Sequence, residues 1–343
     1  MSESAPLVGI LYNDDQTLVA GEERDRLAVE GVDAVAATVA DAVRAAGWSE
    51  WRLAVGRDLQ PVIDRLREQR PDVVFNLVES IGGQPRLEAA MAWVLEWLEL
   101  PYTGSPPEAM SAGLDKAHAK ALLQAAGVPV PGVAYPAIVK PRCQDASHGI
   151  SPDSVVPDAN AAAVRIAYVR ARYLQDAVVE EFIEGREFNL SLLGTTDKPL
   201  LLPPSEIDFS EFAPGRPRVV GFEAKWSEDS PEYRGTAPFF PDLPPELLET
   251  LRGVATAAYS AIGLRDYGRV DLRLHAQRGP FVVDVNPNPD LSTDAGVARA
   301  AAQAGRSYAE LVQQIVRMAL ARAGVASPPH EISDLAGTPD SAA

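Results

Sequence analysis

Apolar positions recur along this chain with two periods, and the elements change where the period changes. Leu7 to Tyr12 is a short apolar run of strand length, and Val32, Val35, Val39 and Val43 then recur at helical spacing through residues 32 to 46, closed by Gly47. A second strand is expected at Val73-Val-Phe-Asn76, with a helix near 60 to 69 before it and another over about 85 to 99 after it. Strands alternating with helices imply a parallel, Rossmann-like sheet, here reaching to about Thr103. The apolar spacing of the helix at 85 to 99, which includes Trp93 and Trp97, reads as core packing.

The turn-forming segment Pro101-Tyr-Thr-Gly-Ser-Pro-Pro marks a boundary. Beyond it Asp115 is placed to cap a helix that runs to Ala126 and ends at Gly127. Ala137 to Lys140 is a strand entering a loop, Asp158 caps a helix to Tyr173, and Ala177 to Phe182 is a strand. From about Glu184 come further strands, a helix over about 245 to 262, a hairpin, and a last helix near 306 to 322. The polar, proline-containing residues 327 to 343 are expected to be a disordered tail. The chain thus divides into 1–103, 104–183 and 184–326 plus the tail, α/β at the front and α+β behind, with no internal repeat.

The hairpin carries the most specific chemistry. In Arg269-Val-Asp271-Leu-Arg-Leu and Phe281-Val-Val-Asp284-Val-Asn286, a period of two puts Arg269 and Asp271 on one face, and Asp284 and Asn286 opposite Phe281, Val283 and Val285. A turn centred on Gln277 and Arg278 sets Asp271 across from Asp284 and Arg269 across from Asn286. Two facing carboxylates repel unless something positive lies between them. Oxygen-only ligands suit Mg²⁺, which is commonly held by one or two carboxylates plus substrate phosphates. A sheet with one solvated face gives the same pattern with no metal.

Composition narrows the partners. At 343 residues, with 46% hydrophobic and 23% charged, the chain is globular and long enough for two or three domains. No apolar run approaches ~18 residues and the N-terminus lacks signal-peptide character, so a soluble, cytoplasmic protein is expected. Cys143, the single cysteine, excludes an internal disulfide. A net charge of −17 argues against nucleic acid or anionic membrane as partner, so a polyanionic ligand needs a locally positive pocket. Only five lysines are available to build it: Lys116, Lys120, Lys140, Lys198 and Lys225.

Lys140 ends a strand ahead of a loop of small and polar residues holding Cys143, Ser147, His148 and Gly149, which either presents an ammonium and backbone donors to phosphates or is a solvated turn. Val178-Val-Glu180-Glu181-Phe-Ile183 either reads an adenine edge, with Glu187 on a ribose, or simply ends in exposed acids. Lys225 precedes a long loop, Ser227 to Pro245, of the kind that forms lids or is disordered. His148 is assigned no catalytic role, and Cys143 is read as incidental.

In order, these pieces resemble the ATP-grasp superfamily, and within it the D-alanine:D-alanine ligases and related amino-acid ligases. The matching run is Tyr102-Thr-Gly-Ser, Leu114-Asp-Lys116, Gly127-Val-Pro-Val-Pro, Ile138-Val-Lys140-Pro, Ser147-His-Gly149, Glu180-Glu-Phe-Ile-Glu-Gly-Arg-Glu187, Glu223-Ala-Lys225-Trp, Gly268-Arg269-Val-Asp271 and Asp284-Val-Asn286-Pro. It spans roughly residues 70 to 320. The resemblance implies a three-domain ATP-grasp architecture and a carboxylate-amine ligase that works through an acyl phosphate. It further implies ATP with two Mg²⁺ ions, or Mn²⁺ in their place, small amino-acid-like carboxylate and amine substrates, and a homodimer formed through the first domain.

By the same resemblance Lys116, Lys140 and Lys225 match phosphate-binding lysines, and Ser147 joins the nucleotide-binding set. Glu180, Glu181 and Ile183 match the adenine strand and Glu187 the ribose ligand. Asp271, Asp284 and Asn286 match the metal ligands, and Arg269, with Lys225, the catalytic groups that steady the reacting centre. The amino-acid pockets depart from the family: Val78-Glu79-Ser-Ile-Gly82 and Asn288-Pro-Asp290-Leu-Ser292 stand in place of its substrate motifs, and Ala295 in place of a serine. Glu22 or Glu23 aligns only loosely with the family's first-substrate glutamate. Glu79 is therefore either the group that takes a substrate amino group or a capping or surface carboxylate, and Asp290 and Ser292 are the further substrate-site candidates. D-alanyl-D-alanine synthesis and a catalytically silent Mg-ATP-binding module remain the alternatives.

Overall fold

The computed structural model describes residues 5–14, 20–21, 31–145, 147–213, 215–222, 224 and 235–325. Lys225, Glu22, Glu23, residues 227–234 of the expected lid and the expected tail lie outside them.

The first sheet is parallel in the order β2-β1-β3, from β1 (Leu7–Asn13), β2 (Ser49–Val55) and β3 (Val73–Leu77). Between its strands run α1 (Val32–Ala45) and α2 (Gln60–Gln69), and a 3₁₀ turn at Pro85–Leu87 leads into α3 (Glu88–Trp97). One face packs on α2 and α3 through Leu11, Val74, Val62, Leu66, Met91 and Leu95. Strand β2 escapes the sequence reading because Glu50 and Arg52 interrupt its apolar run, as a sheet-edge position permits. Helix α3 also departs from expectation. Met91, Ala92 and Leu95 are core, but Trp93 and Trp97 are 50% and 63% exposed and do not pack inward.

Beyond the linker come α4 (Pro107–Leu114) and α5 (Lys116–Ala125). Asp115 caps α5 as expected, accepting from the amides of Ala117 and His118 at 3.1 Å each. Helix α4, absent from the sequence reading, opens on Pro107 and contains Gly113. A Cβ on Gly113 would lie 2.6 Å from Pro287 Cδ, so the missing side chain lets this helix touch the end of the hairpin. A small antiparallel sheet, β5-β4-β6, follows from β4 (Ala137–Pro141), β5 (Val155–Val156) and β6 (Ala177–Glu181), covered by α6 (Ala159–Tyr173) with Asp158 as its cap.

The largest sheet has six strands: β7 (Arg186–Thr195), β8 (Lys198–Leu201), β9 (Ser205–Ile207), β10 (Pro238–Phe239), β11 (Asp266–His275) and β12 (Gly279–Asn286). Its order is β10-β9-β7-β11-β12, with β8 paired to β7. Its apolar face, Phe188, Leu190, Leu192, Val270, Leu272, Val282 and Val285, packs on Leu251, Ala255, Tyr259 and Ile262 of α7 (Pro245–Ile262). The other face carries polar groups. The last helices, α8 (Gly296–Gln303) and α9 (Tyr308–Arg322), share a core with the first sheet: Val8, Ile10, Val39, Val43 and Phe75 meet Leu311, Ile315, Val316 and Leu320. No described helix is long and apolar enough to cross a membrane.

Candidate active site

The hairpin register is the expected one, with Asp271 opposite Asp284 and Arg269 opposite Asn286. Strict alternation fails one step later. Leu272 pairs with Val282, so Val283 is the extra residue of a β-bulge, and the core position expected for Val283 belongs to Val282. The carbonyl of Val283 accepts the Lys140 ammonium at 3.2 Å. Strand β7 extends the polar face, placing Glu187 across from Arg273 and Asn189 across from Asp271.

Each carboxylate of the facing pair has its own cation. Arg269 grips Asp271 with two parallel bonds, Nε to Oδ1 at 2.8 Å and Nη2 to Oδ2 at 2.9 Å, and Asn189 Nδ2 donates to the same Oδ1 at 2.9 Å. Lys116, the first residue of α5, donates to Asp284 Oδ1 at 3.0 Å and lies 3.5 Å from Asp145. Burial alone would push Asp284 up, but Lys116, Lys140 and Arg269 outweigh it and hold the carboxyl below the usual range. Lys116 and Arg269, also buried, are raised because their carboxylate neighbours outweigh desolvation.

On the small sheet, Lys140 lies 2.9 Å from Glu180, and Lys120 lies 3.5 Å from the same carboxylate. Burial would raise Glu180, yet the Lys140 charge overrides it and the carboxyl is held low. An open cleft is lined by Lys116, Lys120, Glu180, Val283 and Asp284 together with apolar Ala119, Leu123 and Val130. It joins cationic groups to an apolar wall, as a nucleotide requires.

The structure therefore brings together three ion pairs, Lys116–Asp284, Lys140–Glu180 and Arg269–Asp271, with Lys116, Glu180 and Asp284 on the cleft wall and Asp271 opposite Asp284. Asn286 stands opposite Arg269, and its Oδ1 accepts from the Asn288 amide at 2.9 Å. Ile183 is buried. Glu181 turns to Arg278 at 2.8 Å while its backbone N–H donates to the Gly132 carbonyl at 3.0 Å, and Glu187 is held by Arg273 at 2.9 Å. Ser147 Oγ donates to the Val220 carbonyl at 3.1 Å. Glu79 is exposed just past β3, and Asp290 folds back on Ser292, accepting from its amide and hydroxyl at 2.7 and 2.6 Å. Cys143 is half-buried and its thiol is raised by burial, which makes it a poor nucleophile. His148 is buried beside Phe222.

Sequence reading gave no site role to Asn189, Asp145, Lys120 or Glu88. Asn189 sits two residues past Glu187 on the same face of a strand, Asp145 lies in the loop after Lys140, and Lys120 is one of the five lysines. Glu88 comes near the site through tertiary packing alone.

A lysine-bearing antiparallel sheet set against a larger sheet that presents paired carboxylates, behind a parallel domain, is the construction of an ATP-grasp ligase, an ATP-dependent enzyme forming C–N bonds. A family model described as the D-ala D-ala ligase C-terminus matches residues 94–317. The chain belongs to the D-Ala–D-Ala ligase family. A D-alanine–D-alanine ligase of Gluconobacter oxydans is 30% identical over 82% of this chain and 92% of its own length. An uncharacterized protein, y4sG, of Sinorhizobium fredii is 34% identical over 72% of this chain and 74% of its own. In fold, the crystal structure of a Bacillus anthracis D-alanine–D-alanine ligase complexed with ATP superposes with a TM-score of 0.70 at 18% identity, covering 93% of this chain and 98% of that one.

Proposed function

We propose that this ligase joins the carboxyl group of one amino-acid-like substrate to the amine of another through an acyl phosphate, with ATP bound along the cleft between β4–β6 and the β11–β12 hairpin. The supporting observation is that five buried or half-buried charges, Lys116, Lys140, Glu180, Asp284 and Arg269, are prearranged there in ion pairs.

The donor set fits magnesium. Asp271, Asp284 and Asn286 offer oxygen only, and among the described residues no three His, Cys, Asp or Glu side chains converge into an all-protein cage. These three residues would hold two Mg²⁺ ions, or Mn²⁺, which when bound supply charge neutralisation for the phosphates. Lys116 and Lys140, with Lys225 as the third, neutralise the remaining phosphate charge. A carboxylate oxygen of the first substrate attacks the γ-phosphorus and ADP departs. The amine nitrogen of the second then attacks the acyl carbon, phosphate leaves with the former carboxylate oxygen, and the nitrogen loses a proton. Arg269 faces the developing oxyanion. Glu79 takes a substrate ammonium, and Asp290 and Ser292 border the second pocket. Glu180, Glu181 and Ile183 receive the adenine, Glu187 the ribose, and Ser147 belongs to the loop over the phosphates. Trp93 and Trp97 form the exposed surface that a homodimer through the first domain would cover.

A phosphate-release screen over amino acids and dipeptides, with Asp284→Ala as control, tests this reading. Release that needs both a carboxylate and an amine, and that Asp284→Ala abolishes, is expected. Robust turnover on D-alanine alone selects D-alanyl-D-alanine synthesis. Nucleotide binding without turnover on any pair selects the silent binding module.

A further inference from the structure

Asn288 lies two residues beyond Asn286 and uses both ends of its side-chain amide. Its Nδ2 donates to Glu88 Oε1 at 2.8 Å and to the Val78 carbonyl at 3.3 Å, while its Oδ1 accepts from the Tyr267 hydroxyl at 2.8 Å. Its backbone N–H donates to Asn286 Oδ1 at 2.9 Å. Three elements therefore hold this one residue: the first turn of α3, the segment just past β3, and β11.

The partners are themselves fixed. Glu88 is 5% exposed and Tyr267 is fully buried, so packing sets their positions. The charges acting on Glu88 are those of Asp145 and Glu79, both negative, and its hydrogen-bond partner is Asn288. A buried carboxyl with no cation beside it among the described residues is an unfavourable choice for stability alone, because an apolar residue of similar size would avoid its desolvation. What Glu88 contributes is direction. As an acceptor it draws Nδ2 toward α3, turns Oδ1 toward Tyr267, and so fixes the one orientation in which Asn288 spans the gap between the first domain and the hairpin.

We propose that Asn288 is a positioning residue for the metal end of the site: anchored by Glu88, Val78 and Tyr267, it holds the side-chain oxygen of Asn286 where that oxygen meets the ion bound with the nucleotide. Groups that orient a metal ligand contribute to affinity without touching the ion. The inference rests on the ligase reading, which supplies Asn286 as a ligand.

The test is calorimetric titration of full-length protein with a non-hydrolysable ATP analogue at graded Mg²⁺, alongside melting temperatures. Asn288→Ala is expected to raise the Mg²⁺ concentration for half-maximal nucleotide binding roughly 10-fold, the usual scale for losing such a partner. Tyr267→Phe, which removes one hydroxyl and keeps the ring in the core, should shift it the same way by about threefold and decides the matter if Asn288→Ala fails to fold. Glu88→Gln keeps an acceptor at Oε1 and should restore the wild-type Mg²⁺ requirement to within about twofold, whereas Glu88→Leu should not. A clamp that only stabilises the fold would lower the melting temperature and leave the Mg²⁺ requirement unchanged. That outcome in both Asn288→Ala and Tyr267→Phe overturns the inference while wild type still binds. Wild-type protein that binds no nucleotide at any Mg²⁺ concentration sinks the ligase reading and this inference together.

Discussion

The proposed nucleotide side and the proposed amino-acid side of this cleft are built differently. Lys116, Lys140, Glu180 and Asp284 are joined by contacts of 2.9 to 3.0 Å in two buried or half-buried pairs, and the bidentate Arg269–Asp271 pair fixes a third. Glu79 is exposed, and Asp290 and Ser292 are satisfied by each other. Charges removed from water must find partners within the protein, so the phosphate side is wired before any ligand arrives. Exposed groups carry no such obligation. The difference teaches that the shared chemistry is tied to folding, whereas the substrate pocket can change residues at little cost to the fold.

The largest expected break of this contrast is Asp284→Ala. It removes a candidate metal ligand and the nearest partner of Lys116, and ligation rate in a coupled phosphate assay should fall at least ~10²-fold, the scale of losing a preorganised electrostatic group. Glu180→Ala comes next. It strands Lys140 in a buried position, and urea unfolding should show a loss of about 3 kcal/mol, whereas the same truncation at Glu79 should cost under about 0.5 kcal/mol. Equal losses at the two sites would erase the contrast.

The two buried glutamates sharpen it with pH. Glu180 is held below its ordinary value, so the unfolded chain takes up the proton first. Its contribution is present above about pH 4.3 and is lost as pH falls through the folded value, and Glu180→Gln should flatten that acid limb. Glu88 has the opposite sign, because burial first and then the Asp145 charge push it well up. The folded state holds its proton longer, stability declines as pH rises above about 4.3, and Glu88→Gln should flatten that decline. Melting temperatures between pH 3 and 8 give both slopes. The smallest effect is Glu79→Gln: roughly a tenfold rise in amino-acid KM with the nucleotide KM unchanged, matching the loss of one charge-assisted hydrogen bond.

Much of the fold was legible wherever local pattern and local energetics agree. The caps Asp115 and Asp158, the helix Pro245–Ile262 and the register that pairs Asp271 with Asp284 follow from periodicity and turn placement. The misses share one cause, in that tertiary surroundings overrode the local signal. Strand β2 tolerates Glu50 and Arg52 because it is an edge, Trp93 and Trp97 face outward although their helix is apolar, and Val283 leaves the alternation because a bulge inserts it. Within the site, Lys116, Lys140 and the hairpin were readable from motif order. The pairing of Asp145 with Lys116, of Lys120 with Glu180 and of Glu88 with Asn288 was not, because chain separation hides which side chains the packed sheets will bring together.

The seating of α9 against β1 and α1 has a consequence for how the molecule is made. Residues 308 to 322 complete a core begun by residues 8 to 43, so β1 is synthesised long before the helix that completes its cover. Contacts of such long range slow folding and leave apolar surface open during synthesis. Nascent chains halted before Tyr308 should therefore expose that face to chaperones, and release of the completed helix should end the exposure.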